Sequence, residues 1–279
     1  MLIGTGATIN ESKQILIQNK TKKYNHVVYT SLVGAHSNLA PPPLSLRSKY
    51  SFLCFTDKYF ECDGWDVIVM QQNKSQTPRR AAKRPKIQPW NYFTANVSVW
   101  VDANMVLIPL EFNEAFKEFM SSKKEFGIFP HNKRTNLNEE FIDIQYRLKD
   151  NPKLLSQQSE YYGKTTKLSN YKLYQGGILF RRHGCLQCDE LMQKWQEQID
   201  IFSVRDQLSL ARIIYECDPQ YIYIFEKFTT DIVKLSAHNR YTTDYKNKSF
   251  LEAIRWFVTI ITYKLLTKKF IIKIKNRMR

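Results

Sequence analysis

Val97-Ser-Val-Trp-Val-Asp-Ala-Asn104 is a run of β-branched and aromatic residues that stops on a carboxylate. It reads as a buried strand whose end carries polar chemistry. Similar runs precede it. His26-Val-Val-Tyr-Thr-Ser-Leu-Val33 ends at Gly34, Ser51-Phe-Leu-Cys-Phe-Thr56 ends at Asp57, and residues 65–70 form a third. Residues 126–129 and 176–180 read as further short strands, the latter entered through the pair Gly176-Gly177. Helical spacing marks 111–121, 141–162 (interrupted near Pro152), 185–199 and 205–215. Strands that end in polar residues and alternate with helices predict an α/β fold, with a mixed, mainly parallel sheet flanked by helices and ligands at the strand ends.

The bulk numbers agree with a folded domain. A chain of 279 residues with 43% hydrophobic content suits one large α/β domain or two small ones and excludes wholesale disorder. Five cysteines, an odd number in a chain this long, argue against a disulfide framework. The N-terminus lacks a charged region followed by an apolar one, so a reducing cytoplasm is the expected home. The formal net charge of +16 implies an anionic partner: nucleic acid, an anionic membrane surface or a phosphorylated substrate. That charge gathers in two places. One is Arg79, Arg80, Lys83, Arg84 and Lys86; the other follows Glu252, after which no acidic residue occurs.

The second group lies in a segment both apolar and basic, residues 250–274. Arg255, Thr259, Thr262, Lys269 and Lys273 share one helical stripe, while Trp256, Phe257, Ile260, Ile261 and Leu265 lie largely off it. Lysines midway argue against a spanning helix, and the pattern predicts an amphipathic helix on an anionic membrane surface. The bland alternative is a helix docked on the domain with a solvated basic face. The expected organisation is an N-terminal extension over 1–24, a main α/β domain over 25–245 and the basic helix over 246–279.

Several residues can carry chemistry. Asp102 and Asn104 stand two apart at a strand end, so both side chains can point the same way and hold a hard divalent cation against a diphosphate. Spacing alone favours an Asx turn. The basic cluster upstream can grip phosphate oxygens, form a solvated loop or bind nucleic acid, and composition does not separate these. Ser203-Val-Arg-Asp-Gln-Leu-Ser-Leu210 has the look of a helix start, so Asp206 and Gln207 serve either an N-terminal turn or a sugar's hydroxyls. His183, Cys185 and Cys188 lack the further ligands of a closed zinc site and read as structural.

Taken in order, these segments resemble the TOD–MUCI family of glycosyltransferase-like domains of plants and bacteria. The resemblance runs over residues 26 to 215. It rests on Tyr29-Thr-Ser-Leu-Val-Gly34, Cys54-Phe-Thr-Asp57, Arg79-Arg-Ala-Ala-Lys-Arg-Pro-Lys-Ile87 and Val97 to Asn104. Further along it rests on Phe129-Pro-His-Asn-Lys-Arg134, Tyr161-Tyr-Gly163, Gln175-Gly-Gly-Ile-Leu-Phe-Arg-Arg-His183 and, most specifically, Phe202-Ser-Val-Arg-Asp-Gln-Leu-Ser209. The family is similar to GT-A nucleotide-sugar transferases, which implies a Rossmann-like sheet, a nucleoside-diphosphate-sugar donor and a divalent ion, Mn2+ or Mg2+. The resemblance implies that Tyr29, Thr30 and Asp57 line the nucleoside pocket. Arg80, Lys83 and Lys86 then face the diphosphate, with Gly176 and Gly177 on the donor side. Asp102 and Asn104 hold the metal, His131 and Arg134 shape the sugar or acceptor side, and Asp206, with Arg205 and Gln207, supplies the catalytic carboxylate. The Asp-Gln pair is also similar to retaining enzymes of the glycogenin kind, whose late histidine ligates the metal; His238 would take that part. Two positions depart from the pattern: Trp90 stands where plant members tend to carry His, and the metal motif ends in Asn104.

The function these readings imply is transfer of a sugar, from a UDP-sugar, to a glycan or lipid-linked glycan at the cytoplasmic membrane face. The alternatives are a nucleic-acid-binding protein using the basic clusters and a glycan-binding domain without turnover. Aromatic residues do not interleave with the basic ones as a stacking platform requires, which speaks against nucleic acid.

Overall fold

The computed structural model describes residues 22–34, 39–71, 76–147 and 149–235, all within the first of the chain's two units, Met1–His238. The basic helix expected over 246–279, His238 and nearly all of the expected N-terminal extension lie outside the described residues.

The apolar runs become strands. β1 (Lys23–Leu32), β2 (Ser51–Thr56), β3 (Asp66–Val69), β4 (Thr94–Val101), β6 (Phe126–Pro130), β7 (Tyr174–Arg182) and β8 (Ile222–Ile224) form one seven-stranded sheet, ordered β3-β2-β1-β4-β7-β6-β8. β5 (Met105–Leu107) and β9 (Val233–Leu235) form a separate antiparallel pair. In the large sheet β3, β2, β1 and β4 run parallel, β6 and β8 run parallel, and β7 pairs antiparallel with both its neighbours. β7 is therefore the one reversed strand, and its amino-terminal end lies beside the carboxyl end of β4, with Ile178 opposite Val101. This is the mixed, mainly parallel sheet expected from the sequence.

Alternation along the strands builds two cores. Val97, Val99 and Val101 of β4 face α3 (Pro109–Ser122), where Phe112, Phe116 and Phe119 pack with Phe180 of β7. Tyr29 and Trp100 point the other way, into a core closed by α2 (Pro78–Ile87), α6 (Leu186–Ile201) and α7 (Asp206–Glu216) through Ile87, Met192, Trp195 and Leu210. α4 (Leu137–Tyr146) and α5 (Pro152–Gly163) form a third cluster against α7 around Phe141, Tyr162 and Leu208. The remaining helix, α1 (Leu44–Arg47), is a single turn before β2.

The basic cluster, which sequence alone left as a loop or a patch, is the helix α2. Thr77 caps it by accepting from the Arg80 N–H at 3.4 Å, and Pro78 fits the first helical position, where its missing N–H costs nothing. Pro85 and the density of charge hide this helix from periodicity. Glu139 closes the start of α4 in a similar way: Asn136 Oδ1 accepts from the Glu139 N–H, and the Glu139 carboxylate returns to Thr135.

Phe180 is fully buried between α3 and the stacked rings of Phe129 and Phe225. Phe180→Ala should cost about 3–5 kcal/mol of unfolding free energy in urea titrations followed by circular dichroism. A loss below about 1 kcal/mol would contradict this packing.

Candidate functional site

Four charged side chains converge where the carboxyl end of β4 meets the amino end of β7. Asp102 follows β4 directly, and its N–H bonds the Gly177 carbonyl at 2.8 Å. Lys83 and Lys86 lie three apart on the inner face of α2. Asp206 is the first residue of α7. The Lys86 ammonium donates to Asp206 Oδ2 at 2.5 Å and to Asp102 Oδ1 at 3.3 Å, and Lys83 donates to the same Asp206 oxygen at 2.8 Å. Trp100 sits two residues before Asp102 on the same face of β4. Its indole N–H donates to Asp102 Oδ1 at 2.8 Å, and the Lys86 ammonium lies 5.3 Å from the centre of its ring.

Lys86 is 1% exposed and Asp206 8%. Burial by itself raises the Asp206 carboxyl; the ammonium groups of Lys83 and Lys86 outweigh it and hold the carboxyl far below the ordinary carboxylate range. Burial also works against charge on Lys86, but Asp102 and Asp206 keep it above the ordinary lysine value. Both stay charged at neutral pH, each the other's counter-ion.

The glycine pair gives this cluster its room. A Cβ on Gly176 would stand 3.3 Å from the Lys86 ammonium nitrogen and 3.4 Å from Asp206 Oδ2. On Gly177 it would meet the Met105 methyl at 2.4 Å. Asp102 to Met105 is a tight turn, closed by the Met105 N–H on the Asp102 carbonyl at 2.9 Å, with Asn104 half-exposed within it. The turn geometry and the charged cluster therefore occur together at Asp102.

The other expected residues take different places. The Arg80 guanidinium turns away from the cluster and bonds the Ile199 and Phe202 carbonyls, capping the end of α6. Tyr29 is fully buried; its hydroxyl accepts from Arg181 Nη1 at 2.7 Å and reaches the Lys86 carbonyl at 3.4 Å, so it supports α2 from within the core. Thr30 and Asp57 sit near the carboxyl ends of β1 and β2. Asp57 Oδ2 accepts the Gly34 N–H at 3.1 Å, while Thr30 Oγ1 and Asp57 Oδ1 are buried without a hydrogen-bond partner among the described residues.

His131 and Arg134 form a neighbouring station. His131 Nδ1 accepts the N–H groups of Lys133 and Arg134, and burial, helped by the Arg134 charge, pushes its pKa down to about 4. Arg134 pairs with the buried Glu140 and lies 3.6 Å from Asp143. Asn132 accepts from Gln175 at 3.0 Å, which ties this turn to the residue before the glycine pair. Arg205 is the cap residue of α7, with its Nε buried and unpartnered among the described residues, and Gln207 is half-buried one residue past Asp206. His183 bonds Ser98 Oγ at 2.8 Å on the Tyr29 side of the sheet. Trp100, Gln175 and Glu140 were given no role from sequence. The period-two spacing of Trp100 and Asp102 is a signal that could have found the first.

Carboxylates are the hard oxygen donors that Mn2+ and Mg2+ take. Here one oxygen of each carboxylate, Asp102 Oδ1 and Asp206 Oδ2, already holds the shared ammonium, and among the described residues no three His, Cys, Asp or Glu side chains stand close enough together to hold an ion. A dication about 4 Å from an ammonium is repelled by roughly 8 kcal/mol at an effective dielectric near 20. The donor set therefore does not fit a divalent ion while Lys86 keeps its place.

The mainly parallel sheet has one reversed strand among the described strands, and the charged cluster lies at the switch between them. The TOD1/MUCI70, glycosyltransferase-like domain matches residues 47–238, and the chain belongs to that family. Among solved structures, it is similar to the apo form of mouse xyloside xylosyltransferase 1, at 10% identity and a TM-score of 0.40, over 73% of this chain and 85% of that one. No curated protein matches it.

Asp206→Asn should destabilise the fold by about 3–5 kcal/mol, because two ammonium groups lose their common counter-charge. The folded Asp206 carboxyl lies below its ordinary value of 3.8, so its contribution is complete above about pH 4 and is lost as pH falls further. Denaturation from pH 7 down to pH 3 should show the wild type losing stability that the Asn variant never had; parallel curves would refute the assignment.

Proposed function

We propose that this protein transfers a sugar from a nucleoside diphosphate sugar, a UDP-sugar, to a glycan or glycolipid acceptor. The observation that carries the reading is the Lys83–Lys86–Asp102–Asp206 cluster beside the glycine pair, at the carboxyl edge of the parallel strands, where open α/β sheets bind nucleotides. Glycosyl transfer needs positive charge where the diphosphate departs, and preorganised ammonium groups supply it without reorganisation. Asp102 and Asp206 hold the Lys86 ammonium charged and aimed; burial lowers the Lys83 pKa, and the Asp206 charge opposes that shift. Thr30 and Asp57, with buried polar atoms to spare, suit the nucleoside end of the donor. His131, Arg134 and Gln175, linked through Asn132, suit the sugar or acceptor side, and Arg205 and Gln207 flank Asp206 to orient hydroxyls.

The acceptor, on this reading, sits at an anionic membrane surface to which the basic, apolar residues 246–279 bind from the cytoplasm. Composition supports this: eight basic and no acidic residues follow Glu252. Co-sedimentation of the full chain with phosphatidylserine vesicles should fall at least tenfold in the variant with Lys268, Lys269 and Lys273 changed to Glu, since each basic residue near such a surface contributes about 1 kcal/mol. Equal sedimentation would remove the membrane from the proposal.

The activity is tested with a panel of nucleotide sugars. One of them, expected to carry UDP, should raise the melting temperature and be turned over. Asp102→Ala should lower turnover by on the order of 100-fold, the scale of losing one preorganised electrostatic group, with the fold retained. Undiminished turnover in that variant would mean that the site lies elsewhere.

A further inference from the structure

Resting on the nucleotide-sugar reading, we propose that this site works without a divalent metal, and that the Lys86 ammonium, assisted by Lys83, holds the place such an ion would take against the donor diphosphate.

The position of Lys86 is the first ground. Its ammonium stands between the two carboxylates that a metal would use, at 2.5 Å from one and 3.3 Å from the other. Those oxygens are also committed elsewhere, Asp102 Oδ1 to the Trp100 indole and Asp206 Oδ2 to Lys83.

The second ground is that Lys86 has nowhere to go. It is 1% exposed and lies over the Trp100 ring, with the Gly176 backbone against it. Its own carbonyl is held by Tyr29, which is held in turn by the buried Arg181. A metal entering between the carboxylates would have to share the space with a fixed charge of the same sign.

The third ground is donor capacity. An ammonium carries three N–H donors. Lys86 uses two on the carboxylates and Lys83 uses one, and the Lys83 side chain is 23% exposed, so it reaches the mouth of the site. The two spare donors of Lys83 suit oxygens of a diphosphate, with Lys86 as the fixed charge behind it.

In the transfer step the bond between the anomeric carbon and the phosphate oxygen breaks, and its electron pair goes to the departing diphosphate. The acceptor hydroxyl oxygen bonds the anomeric carbon and its proton passes to solvent. The two lysines stay protonated throughout and neutralise the departing charge by hydrogen bonds alone.

Binding of UDP to the full chain, with GDP, ADP and CDP in parallel, is measured by calorimetry in EDTA and again with MnCl2. The dissociation constant of the nucleotide that binds should agree within about threefold between the two conditions. Lys86→Met and Lys83→Met should each weaken binding in EDTA by about 10- to 100-fold, the value of a hydrogen bond to a charged group. Lys83, partly exposed, carries the test if the Lys86 variant does not fold. Binding that tightens more than about tenfold with MnCl2, or an unweakened Lys83→Met, overturns the proposal while leaving the nucleotide-sugar reading standing. Absence of nucleotide binding under both conditions overturns that reading and this proposal with it.

Discussion

An ammonium group buried as deeply as that of Lys86 is untenable without counter-charges in contact with it. The chain meets this constraint by bringing together residues 16 and 120 positions away, Asp102 from the end of β4 and Asp206 from the start of α7. Three segments are thereby fixed to a single point. α2 has to lie across the sheet with Lys83 and Lys86 inward, β4 has to end where it does, and α7 has to start within reach of both lysines. Trp195 of α6 secures the last of these by donating its indole N–H to the Asp206 carbonyl and to Ser209.

The reversed strand decides what surrounds this point. Because β7 runs against β4, its amino-terminal glycines arrive beside the carboxyl end of β4 instead of at the far edge of the sheet. Any side chain at Gly176 would press on the Lys86–Asp206 pair, and one at Gly177 would press on Met105. The backbone there can therefore approach a ligand closely, while Gln175 continues toward the Asn132–Arg134 turn. The charged cluster and the His131–Arg134 station become two ends of one strand-edge surface.

The basic residues of α2 divide by face. Lys83 and Lys86 serve the carboxylates, Arg80 caps α6, and Arg84 turns to Gln76 and Asp200. This is not the outward-facing basic stripe that nucleic acid requires, since most of its charge is spent on internal acceptors. Mean composition hides the difference: the same excess of lysine and arginine would have been counted had every one of them faced water.

The sequence alone determined the six longer strands and most of the helices. Runs such as Val97–Val101 and Ser51–Thr56 are too apolar to face water, and Asp102, Asp57 and Gly34 mark where they stop. It also carried the ordered resemblance on which the family and the GT-A-like sheet were expected. α2 was not legible, because two prolines and dense charge erase the apolar period that reveals a helix. The short β5, β8 and β9 were missed because three residues hold too little pattern. Only the tertiary structure decided the partners. Arg80, Lys83 and Lys86 are chemically similar in the sequence, yet one is spent on helix carbonyls and two on carboxylates, and Tyr29 is a core prop inside the motif that suggested a pocket. Local pattern reports whether a residue prefers water or the interior. Which charge meets which depends on contacts between segments up to about 120 residues apart, and those exist only once the sheet has formed.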